Sequence, residues 1–347
     1  MRRWLRVSAA VVLPLALLIG GFFGWLFYSF DRPGPLTKPV AVVIPRDLPV
    51  DGIGRLLEEK GVVADARVFA LGARITGNAE GLQPGEYEFG VAFTPRAAMS
   101  LILSGRRVAH KLRIPEGLTT VQALKLIDAA DGLDGDITIT PAEGALLPET
   151  YQYFWGDSRD EIIKRMTTAR DNALAELWEE RPDDTVLTSP EQAVVLASII
   201  AREAGSARER PLIASVMVNR LKRGMRLESD VTVAYGIALA DHLPDNVLKR
   251  KLTRADLKRR TAYNTYLHKG LPPTPICNPS RETIRAAIHP TKTNYLFFSA
   301  GESGSTFART AREHAGNVER MKAARAPDAA TMPGENEAEA PTRAPAR

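Results

Sequence analysis

The stretch S-P-E-Q-A-V-V-L-A-S-I-I-A-R-E-A-G, residues 189–205, carries helix signals at both ends. Ser189 stands at the N-cap, Pro190 at the first helical position, and Gln192 where a capping box wants it. The spacing predicts a helix to about Ala204 that stops at Gly205. Its apolar stripe is Val195, Leu196, Ile199 and Ile200, and Glu203 continues that stripe at helical spacing. An acid there is unusual, and it falls in the last turn, where the helix dipole disfavours negative charge. Desolvation and dipole both raise a carboxyl pKa. A carboxyl still protonated near neutrality is what a general acid needs. Periodicity alone equally fits, and slightly favours, a glutamate that reaches solvent or pairs with Arg202 or Arg208.

A second helix is expected directly afterwards. Ser206 and Glu209 form another capping-box pattern, Pro211 sits in the first turn, and Leu212, Ile213, Val216, Met217 and Leu221 run towards Gly224. Glu209 therefore reads as structural. Asn219 and Arg220 are polar among these apolar residues and face either a cleft or solvent.

The wider chain has 347 residues, 44% apolar and 25% charged. That balance excludes a fully disordered or fibrous protein and allows two or three domains. The lone Cys277 excludes a disulfide framework and a cysteine-built zinc site. No His-Glu-x-x-His or phosphate-loop pattern occurs, which is consistent with a chemistry that requires no metal or cofactor.

Lysine plus arginine number 46 against 41 acids, a net charge of +5. Three of the basic residues, Arg2, Arg3 and Arg6, precede Val7–Phe30, which carries no charged side chain. As a helix that run would be about 36 Å long, enough to cross a bilayer with tilt. The positive-inside rule puts residues 1–6 in the cytoplasm and everything after residue 31 outside. Trp25, Phe27, Tyr28 and Phe30 crowd the far end like an interfacial belt. A cleaved signal peptide is the rival reading, but bulky aromatics occupy the place of the small-residue cleavage site. Without the three arginines, 43 bases face 41 acids, so the exported part is nearly neutral and nucleic acid is a poor partner. The local basic stretch from Lys249 to Arg260 reads as a solvated helix face, with Thr253 and Asp256 as the ends of a capping box.

Residues 31–39 hold three prolines and suggest a stalk. Residues 40–110 read as a small α+β module: a strand at Ala41–Ile44, helices around Ile53–Leu57 and Val68–Ile75, a Pro84-Gly85 turn into a strand with Tyr87 and Phe89, and a helix opened by Pro95 and closed by Gly105. Residues 111–322 continue with a strand at Lys111–Ile114 and helices at Thr120–Ala130 and Arg159–Glu180. The tail, 323–347, is Ala, Pro, Glu and Arg without periodicity and is expected to be disordered.

Several separated motifs resemble the endolytic murein transglycosylases, the YceG-like or MltG family. They are Ala197–Gly205, Glu209-Arg210-Pro211, Ala214–Val216 with Asn219–Leu221, Gly224–Leu227, Ser229-Asp230, Thr232-Val233, Tyr235-Gly236, Tyr263–Tyr266, Gly270–Pro273 with Pro275-Ile276, Asn278-Pro279, His289-Pro290, Lys292-Thr293, Tyr295-Leu296 and Glu313-His314. With the apolar run, Leu82–Phe89 and Pro148–Tyr151, the likeness covers roughly residues 7–322.

The resemblance implies an α+β fold: a transmembrane helix, a LysM-like glycan-binding module at 40–110, and a catalytic domain at 111–322. It implies a single-pass inner-membrane enzyme that cuts nascent peptidoglycan strands internally in the periplasm, leaving 1,6-anhydromuramate ends, with peptidoglycan synthases as expected partners. The family's catalytic glutamate falls on Glu203. Asn219, Asp230, Tyr263, Asn264 and Tyr266, polar positions of the matching motifs, are candidates to hold the sugars. Each is equally a loop-bracing residue. The chain departs from the family pattern at Ala201, Glu228, Val231, Thr274, Ser280 and Thr306. A hydrolytic muramidase and a non-enzymatic wall-binding scaffold are the alternative functions.

Overall fold

In a computed structural model the described residues are 2–301 and 304–325. Contacts divide the chain into two compact units that interleave in sequence. The first holds residues 1–114, 124–140 and 150–165, and the second 115–123, 141–149 and 166–347. The opening segment of the first unit ends at residue 114. Pairing of distant strands draws residues 150–154 back to the first unit.

Helix α1, Arg2–Phe30, contains the apolar window Leu13–Phe30, the one described helix long and apolar enough to cross a membrane. Its last turn does more than end the run. Leu26 and Phe30 are each 2% exposed and belong to the core of the module that follows. Strands β1 (Val40–Ile44) and β2 (Gly85–Phe89) pair antiparallel, with Val42 opposite Tyr87. Alternation puts Val42, Ile44, Tyr87 and Phe89 inward, on α2 (Val50–Glu59) and α3 (Ala66–Ile75). Asp65 caps α3 by accepting from the Arg67 N–H at 2.7 Å. Thr94 caps α4 (Pro95–Leu103), with proline at its start. The expected strand–helix–helix–strand–helix order is present.

Residues 31–39 are not a free spacer. Gly34 N–H donates to Phe93 O at 2.8 Å, and a Cβ at Gly34 would lie 2.1 Å from Val62 O, so only glycine fits against that backbone. Asp31 takes a forked pair of hydrogen bonds from Arg96, which also lies over the Phe30 ring.

Strand β3 (Ala109–Arg113) leads to α5 (Thr120–Asp128). It pairs antiparallel with β4 (Thr150–Phe154), whose Tyr151 and Tyr153 are buried. Helix α6 covers Arg159–Glu179.

In the second unit α7, Pro190–Glu203, is buried without a break from Ala193 to Ile200. It packs against α8 (Arg210–Lys222) and α10 (Arg281–Ile288). Falling between those two in sequence, α9, Asp230–Ala240, also packs against α7. A hairpin of β5 (Phe297–Ser299) and β6 (Thr306–Ala308) precedes α11, Ala311–Arg325. This last helix runs past Ala323, where the tail was expected to begin; residues 326–347 lie outside the described part.

Asn278 ties the unit together. It is fully buried, accepts from Leu146 N–H at 2.9 Å, and donates to Leu118 O and Thr120 Oγ1. Cys277 is buried beside it, its thiol donating to Ser198 O. Two departures from the family pattern have plain structural jobs. Ser280 caps α10 by accepting from Thr283 N–H, and Thr274 Oγ1 lies 2.6 Å from the Tyr263 hydroxyl.

The basic stretch forms no long helix. The Thr253–Asp256 box closes in both directions, yet only a 3-10 turn follows, Asp256–Lys258. The reason is Asn264, whose amide takes Leu257 O and Arg259 O, carbonyls that a continuing helix would use itself.

Candidate active site

The end of α7 is built as its apolar stripe requires. Eight consecutive residues are packed on all sides, so the next side chain on that face, Glu203, emerges at the rim of a buried wall. Ala204 is extended and closes the helix immediately after it. Glu203 is only part exposed. Burial pushes its carboxyl above the usual carboxylate range. The Ser229 hydroxyl opposes that, Asp230 adds to it, and Arg202 pulls it back. Arg202 does not close on Glu203; it donates to Gly117 O at 3.1 Å.

The partner that decides the geometry is Ser229, which the sequence reading did not single out. Its Oγ donates to Glu203 Oε1 at 2.5 Å. Ser229 is held from behind: its N–H donates to Thr265 Oγ1 at 3.0 Å, and its carbonyl accepts from Thr232 Oγ1 at 2.7 Å. The two threonine hydroxyls meet at 2.8 Å. The loop entering Ser229 is fixed by Arg220, 7% exposed, which donates to the carbonyls of Leu296, Arg226 and Leu227 and to Glu228. So the polar pair Asn219-Arg220 on α8 faces inward, as loop braces.

Of the candidate sugar-holding residues, the structure brings two to Glu203. Asp230 opens α9 beside Ser229 and is exposed; it accepts from the Tyr266 hydroxyl at 2.7 Å. Tyr266 lies near enough for the charges of Asp230, Glu228 and Glu203 to raise its hydroxyl pKa further, after burial. The other three serve as braces. Asn264 is fully buried in its own loop, Tyr263 packs edge-on against Tyr235, and Asn219 donates to Thr293 O and Tyr295 O. A second acid, Glu143, part exposed like Glu203, also escaped the sequence reading. It accepts from Thr120 and from the Tyr235 hydroxyl, and burial raises its carboxyl.

Two part-exposed carboxyls with raised pKa thus stand among the described residues, and Glu203 is the one that ends the apolar stripe, with one oxygen held by the Ser229 hydroxyl. A carboxyl so placed can give a proton and take it back.

The model of the YceG-like family matches residues 42–320. The chain belongs to the YceG-like family. Among curated proteins, this YceG-like chain is 31% identical to the endolytic murein transglycosylase of Bacillus subtilis (strain 168), over 86% of its own length and 89% of the relative's. It is 26% identical to the protein of the same name from Streptococcus pneumoniae serotype 2, covering 90% of this chain and 64% of that longer relative. A solved YceG-like protein of Listeria monocytogenes aligns at 30% identity with a TM-score of 0.49, over 81% of this chain and 99% of that one.

Proposed function

We propose that this chain is a membrane-anchored lytic transglycosylase that cuts peptidoglycan glycan strands internally. The observation that carries the reading is the Glu203 carboxyl, pushed up by burial and gripped by Ser229, in a chain whose curated relatives are named endolytic murein transglycosylases.

Most glycosidases need two carboxyls. Here a single one does both proton transfers. Glu203 protonates the oxygen between N-acetylmuramate and N-acetylglucosamine, and that bond breaks as muramyl C1 becomes oxocarbenium-like. The muramyl 6-hydroxyl then gives its proton to the ionised Glu203 and bonds to C1. The products are a strand ending in 1,6-anhydromuramate and one with a free N-acetylglucosamine 4-hydroxyl. A hydrolase using water would give ends heavier by one water. Mass spectrometry of uncrosslinked strands after digestion should show only the anhydro ends; hydrated ends would mean a muramidase, and uncut strands a wall-binding scaffold.

Ser229 gives a second test. Its hydroxyl lowers the Glu203 pKa, so Ser229→Ala should move the alkaline limb of the pH–rate profile to higher pH. It should also slow cleavage by about tenfold, as the loss of a hydrogen bond to a charged group does. An unmoved limb would remove Ser229 from the site.

Anchoring by Val7–Phe30 rather than cleavage of a signal is supported by Leu26 and Phe30. Cutting at the end of α1 would take two side chains out of the module core. Arg2, Arg3 and Arg6 before the run place the N-terminus in the cytoplasm and the working part in the periplasm. The module at 40–110 is proposed to bind glycan in a LysM-like manner, and peptidoglycan synthases are the expected neighbours of a strand-terminating enzyme.

A further inference from the structure

Glu203 does not stand alone at the end of α7. Asp230 follows directly on Ser229, the residue whose hydroxyl grips Glu203, so two acids are carried to one place by two helices. Their surroundings are opposite. Glu203 lies at the rim of a buried wall. Asp230 is exposed in the first turn of α9, where the helix dipole favours a negative charge.

Asp230 is exposed and yet held. Its Oδ1 accepts from the Tyr266 hydroxyl at 2.7 Å. Tyr266 is fixed in turn, because its N–H donates to Oδ1 of the fully buried Asn264 at 2.9 Å. The backbone on the other side is pinned at Ser229 by Thr265 and Thr232. Two cations of this region are engaged elsewhere: Arg202 with Gly117 O, and Arg220 with three carbonyls and Glu228. The carboxylate therefore has a set direction and one neutral partner.

The reading of the chain as a lytic transglycosylase, on which this inference rests, leaves one requirement open. As Glu203 gives up its proton, positive charge grows on muramyl C1 and the ring oxygen before the 6-hydroxyl bonds. A fixed negative group beside that charge stabilises it without reorganising. Division of labour between a carboxyl that donates a proton and a carboxylate that supplies charge is what paired acids in unlike surroundings provide. We propose that Asp230 is a second catalytic carboxylate, which stabilises the oxocarbenium-like muramyl ring by its charge alone, with Tyr266 as the residue that positions it. Asp230 forms no bond and moves no proton. The electrons of the broken C1–O bond stay with the N-acetylglucosamine oxygen, which takes the Glu203 proton, and the pair that closes the anhydro ring comes from the 6-hydroxyl oxygen.

Asp230→Asn removes the charge and keeps an acceptor for Tyr266. In the full chain in detergent, acting on uncrosslinked strands, it should lower kcat by about 10²-fold, the usual cost of losing one preorganised electrostatic partner of a transition state. KM should stay within about threefold, since the interaction strengthens only as the charge develops. The pH profile adds a signature that a loop brace would not give. The groups that act on the Glu203 carboxyl are Ser229, Asp230 and Arg202, with Tyr266 alongside, while Glu209, beyond Gly205, is taken up by Ser206 and Ser305. After burial, the Asp230 charge helps hold the Glu203 carboxyl up. Its loss should move the alkaline limb to lower pH, the direction opposite to Ser229→Ala. Asp230→Glu, which restores a charge, should recover part of the rate. Tyr266→Phe, which leaves the carboxylate charged but unpinned, should cost about tenfold. If Asp230→Asn lowers the unfolding temperature, Asp230→Ser carries the same expectations. An unchanged kcat, or a loss confined to KM, would overturn the proposal, the second by making Asp230 a residue that only holds a sugar. The functional reading fails separately: strands left uncut by the wild-type chain refute it and the proposal with it, whereas strands cut at the wild-type rate by Asp230→Asn refute the proposal alone.

Discussion

Glu203→Gln should lower strand cleavage by at least about 10²-fold, a loss of about 2.7 kcal/mol in transition-state stabilisation, while the fold is kept. Glutamine can accept from the Ser229 hydroxyl as the carboxyl does, so the wall at the end of α7 stays intact. What goes is the proton. The same substitution has a second signature, in stability. Burial holds Glu203 above the ordinary carboxyl range, so the folded chain keeps this proton to a higher pH than the unfolded chain does. Between the two values the folded state binds more protons, and stability from this group declines as pH rises through the folded value. Glutamine does not titrate. The variant should therefore gain in unfolding temperature relative to the wild type as pH rises, while its activity is lost throughout. A variant that cuts strands at the wild-type rate would sink the assignment.

Phe30→Ala should destabilise the first unit by about 3–5 kcal/mol, the usual cost of emptying a buried phenylalanine site. Phe30 is 2% exposed, the Arg96 guanidinium lies over its ring, and the space it fills is the notch left by Gly72, where a Cβ would fall 2.2 Å from the ring. Thermal unfolding of the full chain in detergent reads the effect. A loss below about 1 kcal/mol would mean that the end of α1 is a tether only, and a cleaved signal would again be tenable.

Much of the first unit was legible because its helices announce their ends. Thr94-Pro95 and Gly105 bracket one helix, and alternating Tyr87 and Phe89 mark a strand. Helix α9 was not legible, for a physical reason. Thr232 to Ala238 is buried almost throughout, so its sequence, V-T-V-A-Y-G-I-A-L-A, has no polar face and no period to detect. Strand β4 was hidden because its partner lies across α5 in sequence. At the site, Glu203 stood out because an acid ended an apolar stripe. Ser229 did not, because what gives it meaning is a carboxyl brought from another helix. Asn219, Tyr263 and Asn264 carry the same kinds of atoms as Asp230 and Tyr266. Which of them face the carboxyl is settled by loop packing, and composition does not encode it.

The ties made by Asn278 bear on the order in which the chain can fold. All the residues of the first unit have been made once Arg165 has been added. The short excursions around Leu118 and Leu146 belong to the second unit, and their buried partner is more than 130 residues downstream. During synthesis those segments must stay unpaired until Asn278 arrives, while the first unit is free to close. Folding should run from the N-terminus, with a late, slow step set by this long loop closure.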